Sequence, residues 1–346
     1  MKMGFWSKLK KPFFVLAPMA DVTDTAFREI IAKYGKTGGG APDVFWTEFV
    51  SADGLVNEKA YEKLKRDLEF TEEERPIVAQ IFGSKEKNME DAASIISGLG
   101  FDGVDINMGC PDRSIEKQGS GAAHIKDIKH SLEIIKAVQR GAHNIPVSVK
   151  TRVGYNSNQI EQWIPRILET GISALIVHAR TRKDMSLIPA NWDYIKRVVE
   201  IRDMMGVETL IIGNGDVVDL NDAKAKAKYS GADGVMLGRA VFGNPWLFNK
   251  SNLKDIKQNN ISTQSDGLKC DITGRTKNEK LIEHSKLFDK KLGDIKNFAI
   301  MRKHYKAYAN GFDGAKKLRM ELMKSKNAKD TELIVKSFLS KKHNEF

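Results

Sequence analysis

Short apolar runs alternate with longer stretches of helical periodicity from the start of the chain. Eight runs read as strands: Phe13–Ala17, Asp43–Thr47, Ile77–Ile81, Gly103–Ile106, Val147–Lys150, Ala174–Val177, Thr209–Ile212 and Gly234–Leu237. Each is short, largely apolar and bounded by Gly, Pro or charge. Between most of them the apolar positions take a helical spacing, most clearly over Thr25–Tyr34, Lys87–Leu99, Asp127–Arg140, Ile160–Glu169, Trp192–Met205 and Asn221–Tyr229. Asp24 stands where a helix N-cap is wanted, and Gly100, Gly141, Gly171 and Gly231 fall soon after later helices, where a helix stop is wanted. Roughly eight strand–helix repeats in about 240 residues is the count of a TIM (β/α)8 barrel. A doubly wound open sheet is the structural alternative, with fewer strands as a rule.

After Phe248 the pattern changes. Residues 249–280 are polar, rich in Asn, Ser, Thr, Gln, Gly and Lys, and read as a linker or an insertion. Helical spacing returns over Leu281–Leu292, Ile295–Ala309, Phe312–Lys324 and Asp330–Leu339, with Asn310-Gly311 as a stop. The expected organisation is a barrel domain over 1–248, the linker over 249–280, and a small C-terminal all-α domain over 281–346.

Charge sharpens that division. The net charge is +11, and residues 249–346 carry 23 Lys and Arg against 12 Asp and Glu, which is the whole excess. A neutral body with a basic helical appendage suggests a module for a polyanion. A solvated tail from a generically Lys-rich protein explains the charge equally well. No apolar run reaches the ~18 residues of a membrane span. The apolar run Phe13–Ala20 is brief and is followed at once by Asp21, which argues against a signal peptide. Two cysteines, Cys110 and Cys270, offer no disulfide framework, so a reducing cytoplasm is the expected setting.

In a barrel, functional side chains sit just after the strands. The fourth strand runs into Asn107-Met108-Gly109-Cys110-Pro111, where Gly and Pro force a turn that presents an amide and a thiol. The first strand ends in Pro18-Met19-Ala20 and the second in Thr47-Glu48. The third carries Gln80, the fifth Lys150 and Arg152, and the sixth His178, Arg180 and Arg182. Gly213-Asn214-Gly215-Asp216 follows the seventh strand and Gly238-Arg239 the eighth. Those glycines, with Arg239, form backbone that can approach a phosphate closely. Gln80, Asn107, Lys150 and His178 suit a ring rich in carbonyls and nitrogens, and Cys110 is a candidate proton donor or nucleophile. Taken singly, each has a plainer reading: a buried structural Cys, a satisfied core His, a Gln that pairs backbone groups. The functional reading rests on nearly every strand ending in a ligand group. There is no paired C-x-x-C for zinc, no G-x-G-x-x-G after the first strand, no Walker motif and no nucleophile elbow.

Taken together, the motifs Ala17-Pro18-Met19-Ala20-Asp21-Val22-Thr23-Asp24, Asn107 to Pro111, Val149-Lys150-Thr151-Arg152, His178-Ala179-Arg180-Thr181-Arg182, Gly213 to Asp216, Leu237-Gly238-Arg239-Ala240 and Gly243-Asn244-Pro245-Trp246 resemble the tRNA-dihydrouridine synthases. Met301-Arg302-Lys303-His304-Tyr305 and Tyr308 resemble that family's helical domain. The resemblance implies FMN-dependent reduction of the C5=C6 bond of particular uridines in tRNA, with NADPH as electron source. It implies Pro18 and Met19 packed near the flavin, Gln80, Lys150 and His178 on its ring, and Asn214, Gly215, Gly238 and Arg239 on its phosphate and linker. Asn107 would lie by the uracil and Cys110 would be the general acid. Arg152, Arg180, Arg182 and Lys183 form an expected basic rim for RNA, to which Arg302 and Lys303 add from the helical domain. No metal and no membrane are implied, and a monomer is expected. Three features depart from the family pattern: His124-Ile125, Asp21, and the long segment around Cys270. An FMN barrel acting on a free pyrimidine or an enone, and an RNA-binding barrel without catalysis, are the competing readings.

Overall fold

The computed structural model describes residues 2–37, 40–249 and 274–343. Most of the segment read as a linker, with Cys270, lies outside the described residues. The chain forms two compact units, Met1–Ala20 with Pro42–Arg239, and Asp21–Ala41 with Ala240–Phe346.

The first unit holds eight parallel strands: β1 (Phe13–Leu16), β2 (Phe45–Ser51), β3 (Ile77–Phe82), β4 (Gly103–Met108), β5 (Val147–Arg152), β6 (Ala174–His178), β7 (Leu210–Asn214) and β8 (Gly234–Leu237). They pair in the order β1-β8-β7-β6-β5-β4-β3-β2. A parallel bridge between Val15 and Val44 joins the two ends of that order, so the sheet curls into a TIM-type barrel. The expected second strand ended at Thr47. A register shift between Trp46 and Phe49 carries its pairing on to Ser51. The one-turn helices Ala52–Leu55 and Arg113–Glu116 are too short to show a period, and the helix Glu58–Asp67, capped by Asn57, was not among those expected.

Strand alternation fills the barrel. Phe13, Val15, Val44, Trp46, Val78, Ala174, Ile176, Leu210, Ile212 and Met236 form one buried cluster. Trp6, on a 3-10 turn at Gly4–Lys8, lies 5.9 Å from the rings of both Phe13 and Trp46 and extends that core at the amino ends of the strands. The same inward positions turn polar toward the carboxyl ends, at Gln80, Asn107, Lys150, His178 and Asn214. The helices Glu86–Gly98 and Ile128–Gly141 pack closely outside the sheet. A Cβ on Gly141 would fall 1.9 Å from the Glu90 carbonyl oxygen, which is backbone and cannot yield cheaply. We expect Gly141→Ala to lower stability by about 3 kcal/mol, read as a fall in urea midpoint at unchanged m-value.

The second unit combines the helix Thr25–Thr37 with the helices Gly274–Leu292, Arg302–Tyr308, Ala315–Leu322 and Ala328–His343. The first of these C-terminal helices begins at Gly274, inside the stretch read as linker. Phe27 stacks on His284 and meets His304 edge-on, and Phe288, Met301, Tyr305, Tyr308, Leu318 and Leu322 complete the core. Burial holds both imidazoles uncharged, well below their ordinary range. Among the described residues no helix is long and apolar enough to cross a membrane.

Candidate active site

Parallel register brings together residues that lie far apart in sequence. Gln80 is opposite Asp105. Asn107 is opposite Lys150. His178 lies opposite both Arg152 and Asn214. These side chains gather at the carboxyl ends of β3–β7, where a barrel binds its ligands.

Asn107 organises the thiol turn. Its Oδ1 accepts from the Gly109 N–H at 3.2 Å and from the Cys110 N–H at 3.0 Å. The Cys110 carbonyl in turn accepts from the Ala122 N–H at 2.9 Å. Gly121 takes φ +62°, and a Cβ there would meet the Cys110 carbonyl oxygen at 2.7 Å, so the Gly-Ser-Gly-Ala stretch packs directly against the turn. Cys110 itself is half-buried. Burial pushes its thiol above the ordinary value, and a hydrogen bond from the Asp112 backbone, with the charges of Arg152 and Lys150, only partly offsets that. The sulfur therefore carries its proton at neutral pH.

Lys150 Nζ donates to Asn214 Oδ1 at 3.3 Å, and Asn214 Nδ2 donates to the Met236 carbonyl at 2.9 Å. Desolvation, with Arg152 nearby, brings the Lys150 ammonium down to about 8, while Asp105 and Cys110 pull the other way. His178 Nε2 faces an Arg180 nitrogen at 3.2 Å. A guanidinium only donates, so Nε2 accepts and the ring proton sits on Nδ1. Burial and then four cations, Arg152, Lys150, Arg180 and Arg239, hold this imidazole well below its ordinary value. A concentration of positive potential around one neutral ring marks a site that favours an anionic or electron-rich ligand.

The glycine-rich ends of β7 and β8 lie beside that centre. Asp216 pairs with both Arg180 and Arg239, the latter at 2.6 Å, and accepts from the Ala190 N–H at 2.9 Å. It thereby ties Arg239, which is exposed and follows Gly238, to the end of β7. Met19 and Pro18 are half-buried, and the Met19 sulfur lies 3.4 Å from where a Gly238 Cβ would be.

The basic rim is smaller than its sequence suggests. Arg152 is buried and donates to the carbonyls of Gly109, Thr181 and Met185. Arg180 is buried on Asp216 and the Ile188 carbonyl. Both cations are spent on holding loops, because a buried guanidinium must satisfy its donors internally. Arg182 pairs with Glu116 and lies over the Tyr155 ring at 5.4 Å. Only Lys183 of the four is exposed. In the second unit Arg302 and Lys303 are both exposed, and Lys303 pairs with Asp21 at 2.8 Å.

Two residues at the heart of the arrangement escaped the strand-end rule. Asp105 and Ser148 lie two positions below Asn107 and Lys150 on the same inward faces. Ser148 Oγ donates to Asp105 Oδ1 at 2.5 Å and Gln80 Nε2 donates to Asp105 Oδ2 at 2.6 Å. Burial lifts this carboxyl to about 6, against the pull of those two bonds and of Lys150. The period-2 pattern back from Asn107 was the available signal.

Solved structures with a similar fold include 6-hydroxypseudooxynicotine amine oxidase from Pseudomonas geniculata N1 (TM-score 0.53, 12% identity, 73% of this chain and 48% of that one). A 2-naphthoyl-CoA reductase complex is similar as well (TM-score 0.53, 15% identity, 73% of this chain and 51% of that one). The chain spans about half the length of each, and the likeness is one of fold. In sequence it is 34% identical over 339 residues to a probable tRNA-dihydrouridine synthase of Staphylococcus aureus strain MRSA252, covering 98% of this chain and 96% of that protein. Probable tRNA-dihydrouridine synthase 2 of Bacillus subtilis strain 168 is likewise 34% identical, with 98% and 97% covered. The family model described as Dihydrouridine synthase matches residues 15–343, from the first barrel strand to the last helix. With both the barrel and the helical segment inside one continuous match, the chain belongs to the dihydrouridine synthase family.

Proposed function

We propose that this protein reduces the C5=C6 bond of specific uridines in tRNA, as a cytoplasmic monomer with FMN as cofactor and NADPH as reductant. The observation that carries the reading is the set of polar side chains at the carboxyl ends of β3–β7, with Lys150 bonded to Asn214, His178 against Arg180, and Cys110 on an Asn-anchored turn. The donor set fits a flavin mononucleotide. Lys150 and the His178 Nδ1–H would meet ring carbonyls and nitrogens, Pro18 and Met19 would line its apolar side, and Gln80 would complete the ring's polar edge. Asn214, Gly215, Gly238 and Arg239 would hold the phosphate and its linker. Bound FMN would supply the hydride that reaches uracil C6.

Within the chain, Cys110 Sγ then gives its proton to uracil C5, and the thiolate recovers a proton from solvent. Asn107 lies beside that turn and orients the base. Lys150 stabilises negative charge on the ligand side of the barrel mouth. The uridine must leave its stack to reach the mouth, at a cost of a few kcal/mol. Phosphate contacts to the basic second unit supply that energy. Arg182 and Lys183 add to them at the barrel, while Arg152 and Arg180 act there by shaping the loops.

Mapping dihydrouridine in tRNA from cells lacking this protein tests the reading. One or more positions should lose the modification and regain it when the gene is returned. Full retention at every position overturns it. An FMN barrel for a free pyrimidine or an enone would be indifferent to RNA, and a barrel without catalysis would purify colourless. For the tRNA enzyme, log Kd should rise linearly with log salt. Arg302→Gln should lower that slope by about 1 while flavin content stays at the parent level.

A further inference from the structure

Asp105 is fully buried inside the barrel, two positions below its polar mouth, yet neither the proton donor, the cofactor residues nor the RNA-facing cations call for it. On β6, β7 and β8 the comparable interior is filled by Ile176, Ile212 and Met236. Burying a carboxylate is costly unless its lone pairs are met, and here Gln80 and Ser148 meet them.

The consequence is a direction. An ionised carboxylate only accepts, so the nitrogen of the Gln80 amide must face Asp105 and its oxygen must face away. That oxygen accepts from Asn107 Nδ2 at 3.0 Å. Asn107 is left with Oδ1 on its far side, which takes the N–H groups of Gly109 and Cys110. The far end is fixed independently, because a backbone N–H can only donate. Both ends agree, and no amide in the chain can turn over without setting donor against donor.

We propose that Asp105 is a positioning residue for Cys110: it sets the orientation of the Gln80 and Asn107 amides and through them holds the turn that carries the thiol. Its importance for turnover rests on the proposed role of Cys110; its hold on the turn does not.

The test is the rate at which iodoacetamide alkylates Cys110, measured in a Cys270→Ser background so that one thiol reports. Asp105→Leu removes the acceptor that anchors Gln80 Nε2 and leaves the two amides held from the turn end alone, and alkylation should accelerate about tenfold. Asp105→Asn can still offer Oδ1 to Gln80 while Ser148 accepts from its Nδ2, so its rate should stay within about twofold of the parent. Equal acceleration in both variants would mean a simple charge effect and would overturn the proposal, as would a parent-like rate in a folded Asp105→Leu. Should that variant fail to show a cooperative melt, Gln80→Met breaks the next link and should give the same acceleration; a parent rate there overturns the proposal too. In turnover, Asp105→Leu should lose kcat with little change in tRNA affinity, and Asp105→Asn should recover it. If the parent protein forms no dihydrouridine, the catalytic reading fails while the alkylation rates still decide the role of Asp105.

Discussion

Cys110→Ala is expected to lose roughly 10²–10⁴-fold in the rate of uridine reduction, the range for removing a general acid from its reacting group. Bound flavin and tRNA affinity should stay near the parent values. The turn is held by backbone: the Cys110 N–H is taken by Asn107 and its carbonyl by Ala122, and neither bond involves the sulfur. Burial also raises the thiol's pKa, so the acid form persists through neutral pH and is lost only in the alkaline range. The single-turnover rate with pre-reduced enzyme is the measurement of choice. A variant that loses its flavin along with its rate would contradict the proton-donor role.

Lys150→Met should weaken flavin binding roughly 10–100-fold, as expected when a charge-assisted hydrogen bond disappears from a buried site. Methionine keeps most of the volume and removes the cation, so the loss is read as chemistry rather than as a cavity. The pH dependence gives a second signature. The Lys150 ammonium titrates near 8 in the folded protein, below its ordinary 10.5. Raising the pH through 8 therefore discharges it, and flavin affinity in the parent should fall across that interval. The Met variant should lack that limb. Stability of the flavin-free protein should move the opposite way. Between about 8 and 10.5 the unfolded chain holds a proton that the folded one has released, so folding becomes more favourable as pH rises through that window. Flavin fluorescence titrations at a series of pH values, with and without the substitution, check the affinity, and urea unfolding of the flavin-free protein at the same pH values checks the stability.

The helical unit sets a limit on how RNA binding can be dissected. The helix Thr25–Thr37 groups with the C-terminal helices, and Phe27 is enclosed by His284 and His304. Removing residues 281–346 would strip that core from Phe27. Single charge changes such as Arg302→Gln therefore report on RNA contacts more cleanly than truncation.

Strand by strand, the barrel was legible because each strand is a short apolar run and each stop carries its own chemistry. Gly103 to Ile106 followed by Asn, Gly, Cys and Pro states both a buried strand and the turn that ends it. The lengthened β2 was not legible, since a register shift at Trp46–Phe49 leaves no mark on apolar periodicity. The helix Thr25–Thr37 was placed correctly along the chain, but its grouping with residues 240–346 depends on contacts some 250 residues distant. The strand-end rule named Gln80, Asn107, Cys110, Lys150 and His178. It also named Arg152 and Arg180 as an open rim, although both are buried. A sequence gives the residue type at a loop, and only packing tells whether an arginine points at solvent or at three carbonyls.

What the sequence determined by itself is the number and order of the strands and the chemistry at their ends, because those are local: periodicity of two or 3.6, glycine and proline at stops, charge by segment. What only the tertiary structure decided is which polar atoms face one another. Asp105 orients Gln80 and Gln80 orients Asn107 through bonds that cross between β3 and β4, and Asn107 then holds the Cys110 N–H within its own turn. Hydrogen-bond direction depends on the partner across the gap, and that partner is supplied by parallel register.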